Sequence, residues 1–300
     1  MNAASQWRYQ LAQSIAPIYA ANPQAAAVIL GGSTARGHAD RHSDIELGVF
    51  WRQPPSDADR QAAARAIAAA DQRLYPLYEP EQVWSDEFFF GRADPGRPNS
   101  GLLLEVVHYT VDHYESILQA VLEQFDPDPI KQNLIAGVLD GLVLHNPQLI
   151  HQWQTRAADY PDELVAAVVH QHAQIDHFWR WEMWLARGNL LMLHQQWAQI
   201  QQQLLHVLLG LNRVYYFGFK WLAEIDRRLQ HKPWQLLPRL QQVYQLAPPE
   251  SAGVLASLVG ETYDLIEAHL PDIDVDRLRT VFRYQRSAWD QPPDNALPNV

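Results

Sequence analysis

The chain has 300 residues, 47% of them hydrophobic and 19% charged, which is ample for a large buried core and fits two domains more readily than one. Thirty-four acidic against 23 basic residues give a net charge of -11, a field that repels phosphate backbones, argues against nucleic acid as a partner and suits a cationic small molecule better. Cysteine is absent, which excludes disulfides and thiolate metal sites. The start, "MNAASQWRYQ", has no basic segment leading into an apolar one, and no apolar run is long enough to span a bilayer, so a cytoplasmic protein with no membrane partner is expected.

The N-terminal third reads as mixed α/β. Trp7, Leu11, Ile15 and Ile18 recur at helical spacing and Pro23 closes that helix, after which "AAAVIL" runs as a buried strand into Gly31. "DIELGVFW" alternates, with Ile45, Leu47 and Val49 on one side and Asp44, Glu46 and Gly48 on the other. Ser56 with Asp59 caps an alanine-rich helix expected to reach about Arg73. "VWSDEFFF" and "LLLEVVHYT" are two further strands, joined by the loop "GRADPGRPNSG".

From about Asp126 the pattern becomes that of amphipathic helices. Ile130, Leu134, Val138 and Leu142 form one stripe, and Leu164, Val168, Ile175 and Trp179 a second. The longest comprises Leu193, Trp197, Ile200, Leu204, Leu208, Leu211 and Tyr215; two more helices fit "AGVLASLVGETYDLIEAHL" and "DVDRLRTVFRYQ". The end, "DQPPDNALPNV", reads as a loose tail. The expected fold is α+β: a small mixed sheet with helices over residues 1–125, then an α-helical bundle over 126–300.

Chemistry concentrates in "VILGGSTARGHADRHSDIELGVFW". Residues two apart on a strand share a face, so Asp44 and Glu46 place two carboxylates together, an arrangement disfavoured unless something positive lies between them. A hard divalent cation such as Mg²⁺, which takes oxygen ligands and substrate phosphates, answers that need. Upstream, Gly31 and Gly32 end a buried strand, and Ser33 can cap a helix whose free N–H groups attract an anion. Neither the P-loop pattern nor the dinucleotide-binding glycine fingerprint occurs.

These residues, "LGGSTARGHADRHSDIELGVF", resemble the signature of the DNA polymerase β-like nucleotidyltransferase superfamily. The resemblance implies that Gly31, Gly32 and Ser33 hold a nucleotide's phosphates, and that Asp44 and Glu46 bind two Mg²⁺ ions. It implies that Arg36 braces the turn or touches phosphate. Glu46 stands where aspartate is more usual. The superfamily's third carboxylate lies on a later strand; Glu105, flanked by apolar residues in "LLLEVVHYT", is the choice, with Glu79, Glu81 and Glu87 as rivals. Glu105 serves as metal ligand or as base toward the acceptor hydroxyl.

The second half is similar to the helical domain of the superfamily's small-molecule members, such as the aminoglycoside nucleotidyltransferases, which closes the cleft. Asn212, Arg213 and Lys220 interrupt an aromatic-rich helical region, and Lys220 is the candidate phosphate contact, equally readable as a lysine spread over an apolar face. His170, His172 and His177 lack metal-ligand spacing. The function expected is transfer of a nucleoside monophosphate, AMP from ATP foremost, to a hydroxyl of a small aminoglycoside-like acceptor. A protein-modifying, antitoxin-like transferase and a non-catalytic nucleotide sensor are the alternatives.

Overall fold

The computed structural model describes residues 1–91 and 101–289. The expected terminal tail, and all but the first and last residues of the expected loop 91–101, lie outside the described residues. The chain divides into two compact units: residues 1–164 with the short segment 215–217, and residues 165–214 with 218 onward.

The first unit is built on a six-stranded sheet of order β3-β4-β5-β2-β1-β6. Helix α1 (Ala3–Ala20) leads into β1 (Ala25–Leu30), the turn α2 (Gly32–Ala35), β2 (Ile45–Trp51), α3 (Asp57–Ala66) and β3 (Asp71–Leu74). Strands β4 (Trp84–Phe90) and β5 (Leu102–Thr110), helices α4 (Val111–Leu122) and α5 (Pro129–Leu139), β6 (Leu142–His145) and α6 (Pro147–Ala157) complete it. The sheet is mixed: β2 pairs parallel with β5, and all other neighbours are antiparallel. A parallel pair cannot be closed by a hairpin, so α3, β3 and β4 occupy the crossover.

Alternation sorts the sheet residues. Ile45, Leu47, Val49 and Trp51 join Val28, Leu30, Phe88, Leu104 and Val106 in a core shared with Ala12, Ile15 and Tyr19 of α1 and Ala63, Ala64 and Ile67 beside or on α3. We call this the back face. On the front face Phe50 packs against Tyr114 of α4 and Trp153 of α6, with ring centres 5.2 and 4.8 Å away.

Several sequence expectations shift. The Ser56–Asp59 capping box is present, but α3 ends at Ala66 instead of near Arg73, because residues 71–74 pair with Asp86–Phe89. Leu142 leaves its helical stripe: α5 stops at Leu139, and residues 142–145 pair with β1 as the edge strand β6. The sheet and the first compact unit therefore extend past residue 125.

The second unit is helical. The division falls within α7 (Asp162–His172), followed by α8 (Arg180–Ala186), α9 (Leu190–Leu211), α10 (Leu222–Arg228), α11 (Leu236–Gln242), α12 (Pro248–His269) and α13 (Val275–Arg283). Helix α9 buries Leu193, Trp197, Ile200, Leu204, Leu208 and Leu211, and it packs on α12, whose Leu255, Val259 and Ile266 are also buried. Gly210 permits close approach to α7, since a Cβ there would lie 2.9 Å from Val168. The second expected stripe is cut: α7 ends at His172, so Ile175 and Trp179 are not on it. The third loses Tyr215, because Asn212 ends α9 by donating to the Leu208 carbonyl and accepting from the N–H groups of Gln230 and His231. Lys220 is exposed and lies between α9 and α10, not on a helix.

Candidate active site

The glycine turn and the first acidic strand are joined by their backbones. The Gly31 N–H donates to the Glu46 carbonyl at 2.8 Å, which extends the β1–β2 ladder and commits that amide to the sheet. Gly32 then adopts φ +62°, a left-handed conformation that L side chains rarely take. A Cβ on Gly32 would fall on the Glu46 carboxylate, with Oε2 at 2.6 Å. Glycine is favoured there by its backbone angle, and a side chain in its place would displace the Glu46 carboxylate. The expected Ser33 cap is corrected: Gly31 is the residue that caps α2, with no side-chain hydrogen bond, while Ser33 sits buried inside the turn. Gly32 and Ser33, as the first residues of α2, have N–H groups that precede any intrahelical acceptor.

Asp44 is half-buried in the residue immediately before β2. The loop that delivers it is anchored by Arg8 of α1, a residue the sequence did not single out. Arg8 is buried; its Nε and Nη2 donate to the Ser43 carbonyl at 3.1 and 2.9 Å, and Nη2 also to the Asp40 carbonyl at 2.8 Å. Burial lowers its pKa, and the negative charges of Asp40 and Asp44 oppose that shift.

Glu105 lies on β5, the strand that pairs with both β2 and β4. The parallel register places Glu46 opposite Glu105, and the antiparallel register places Glu87 opposite Glu105. Laterally paired residues share a face, so Glu46, Glu105 and Glu87 lie abreast on the front face, at strand spacings of about 4.8 Å. All three are half-buried. The Ser85 hydroxyl donates to Glu105 Oε1 at 3.2 Å, and the Tyr75 hydroxyl donates to Glu87 Oε2 at 3.0 Å. Tyr109, also on the front face, has its pKa raised by burial first, then by the charges of Glu105, Glu81 and Glu46, so its hydroxyl stays protonated. Glu79 and Glu81 lie in the connection before β4, as expected.

The donors are carboxylate oxygens on neighbouring strands, the chemistry of a site for a hard divalent cation. Among the described residues, no three His, Cys, Asp or Glu side chains converge as a ready-made metal cage. Of the other predicted residues, Arg36 lies in the first unit with its guanidinium paired to Asp140. Lys220 belongs to the second unit.

Sequence reasoning also missed a polar group on the back face of the same strands. Asp86, His108 and Arg60 are buried at 0%, 0% and 2% exposure. Trp51 Nε1–H donates to His108 Nδ1 at 3.0 Å, so Nδ1 carries the lone pair and the neutral ring donates from Nε2 to Asp86 Oδ2 at 2.9 Å. The Arg60 guanidinium pairs with Asp86 and donates to the Tyr75 carbonyl at 2.6 Å. Burial alone would raise the Asp86 pKa; the hydrogen bonds from His108 and Arg60 outweigh it and hold the carboxyl below its ordinary value. Burial lowers the His108 pKa despite Asp86. The signal was available in the alternation: Asp86 and His108 occupy inward positions of strands whose other inward residues are apolar.

A model of a domain of unknown function, DUF4037, matches residues 129–222. Among solved structures, the chain is similar to a nucleotidyltransferase-like protein from Exiguobacterium sibiricum, at 12% identity over 86% of this chain and 74% of that one, with a TM-score of 0.38. No curated protein sequence matches significantly. Among the described residues, no helix is long and apolar enough to cross a membrane.

Proposed function

We propose that this protein is a metal-dependent nucleotidyltransferase, which moves a nucleoside monophosphate, foremost AMP from ATP, onto a hydroxyl of a small cationic acceptor of aminoglycoside type and releases pyrophosphate. The observation that carries this reading is the junction of Gly32 with Glu46. A left-handed glycine turn lies against a carboxylate whose neighbour across the parallel pair is Glu105.

Asp44, Glu46 and Glu105 would supply hard oxygen ligands to two Mg²⁺ ions. Bound Mg²⁺ would neutralise charge on the attacking and leaving oxygens of an in-line displacement at the α-phosphorus. The remaining work belongs to the chain and is chiefly positioning. The N–H groups of Gly32 and Ser33 would face the terminal phosphates, with the Gly31 peptide setting their direction. Glu105 would act as metal ligand or take the proton of the acceptor hydroxyl. The net charge of -11 suits a cationic acceptor.

Incubation with each of the four α-labelled nucleoside triphosphates, Mg²⁺ and a cell lysate, alongside a panel of hydroxylated amines, tests this directly. Label is expected on a small molecule, and Asp44→Asn is expected to abolish labelling while the melting temperature holds. Full activity in that variant would sink the site assignment.

A further inference from the structure

The glycine turn is held from its far end by one side chain whose partners come from distant parts of the chain. Arg36 closes α2, its N–H donating to the Gly32 carbonyl at 3.2 Å. Its side chain is only 8% exposed; Nε donates to Asp140 Oδ2 at 2.7 Å, and the guanidinium carbon lies 5.0 Å from the centre of the Phe217 ring. Asp140 is the residue that ends α5. Phe217 belongs to the segment 215–217, which the chain reaches after 165–214 and which packs within the first unit. Tyr215 rests on Tyr160 with ring centres 4.7 Å apart, the Tyr216 N–H donates to Gln132 Oε1 at 3.3 Å, and Phe217 is buried. The DUF4037 match, 129–222, spans both Asp140 and Phe217.

We propose that Asp140 and Phe217 are positioning residues for the nucleotide turn, acting through Arg36 to fix the conformation of residues 31–37. The inference rests on reading that turn as the phosphate site. A guanidinium that already faces a carboxylate and an aromatic ring is matched in charge where it stands, so its effect on a bound triphosphate is indirect. Segment 215–217 thereby makes the order of the turn depend on residues remote from it in sequence.

The test uses the full chain and two readouts: hydrogen exchange of the 31–37 amides without ligand, and binding of a non-hydrolysable ATP analogue with Mg²⁺. Phe217→Leu keeps apolar volume but removes the π face, Phe217→Trp restores it, and Asp140→Asn removes the charge. With melting temperatures near that of the parent, Phe217→Leu and Asp140→Asn are expected to speed exchange at 31–37 and to weaken analogue binding roughly three- to tenfold. Phe217→Trp is expected to behave as the parent, and adding Phe217→Leu to Arg36→Met should cost nothing further. Unchanged exchange in both Phe217→Leu and Asp140→Asn would overturn the proposal, as would fully additive effects in the double variant. If the parent protein does not bind the analogue, the nucleotide reading fails, while the exchange measurement still decides whether the two residues order the turn.

Discussion

Strands β2, β4 and β5 carry polar residues to both faces of one sheet, and the two faces treat them in opposite ways. On the back, Asp86 is fully buried and is met inside the protein by the Arg60 guanidinium and the His108 ring, with Trp51 completing the ladder of donors. On the front, Glu46, Glu105 and Glu87 stand abreast and half-buried, beside hydroxyl donors from Ser85 and Tyr75. Like charges placed opposite one another across a sheet are destabilising. The back face uses its acid to hold three strands and α3 together; the front face sets like charges side by side, the arrangement on which the proposed cation site rests. Adjacent residues of one strand, Asp86 and Glu87, thus meet opposite surroundings.

Substitution should separate the faces most sharply. Asp86→Ala leaves Arg60 buried without its carboxylate and is expected to cost about 3–5 kcal/mol in denaturant unfolding. Glu105→Gln removes one of three neighbouring acids, so its stability should stay within about 0.5 kcal/mol of the parent or rise, while Mg²⁺-dependent transfer falls roughly 100-fold or more. Equal destabilisation by the two variants would erase the distinction between the faces.

A smaller effect comes with pH. His108 on the back face and His206 in the second unit, where His206 stacks on His172 at 4.2 Å, are both held neutral by burial, His206 with a pKa pushed down to about 4 from 6.5. A folded pKa below the unfolded one means that the unfolded chain binds the proton first. The contribution of both is therefore complete above about pH 6.5 and declines as pH falls below it, that of His206 being lost toward about 4. Each such ring can remove up to roughly 1.4 kcal/mol per pH unit in that window. Urea unfolding at pH 7.0, 6.0 and 5.0 should show the decline, with a shallower slope in His206→Phe; a flat profile would contradict the neutral assignment.

The proposed site was drawn from residue order because its signals are local. The glycine pair, the Asp44–Glu46 spacing and an acid within the apolar run of β5 each fall inside one short stretch, and the sheet register brings Glu46 and Glu105 together. Features assembled from separated residues escaped. Trp51, Arg60, Asp86 and His108 look like unrelated interruptions until the sheet stacks them. Arg8 reads as one more exposed position of an amphipathic helix, although it anchors the loop before Asp44 through main-chain carbonyls. The run "LVLH" continues a helical stripe as readily as it begins a strand, and only the unfilled edge of β1 decides between them. Asn212 ends α9 through bonds to residues 230 and 231, far beyond the window in which a helix terminus is sought.

The edge strand β6 has a consequence for any attempt to divide the protein. All six residues of β1 are buried, and β6, delivered only at residues 142–145, covers its outer side. A chain cut at residue 125, where the residue pattern changes, would present β1 as a long apolar edge with open hydrogen-bonding groups, the arrangement that templates aggregation. Such a fragment should precipitate or pair edge to edge, and one extended through α6 should not. The sheet is therefore complete only when residues 142–145 are present, well past the point where the helical pattern of the chain begins.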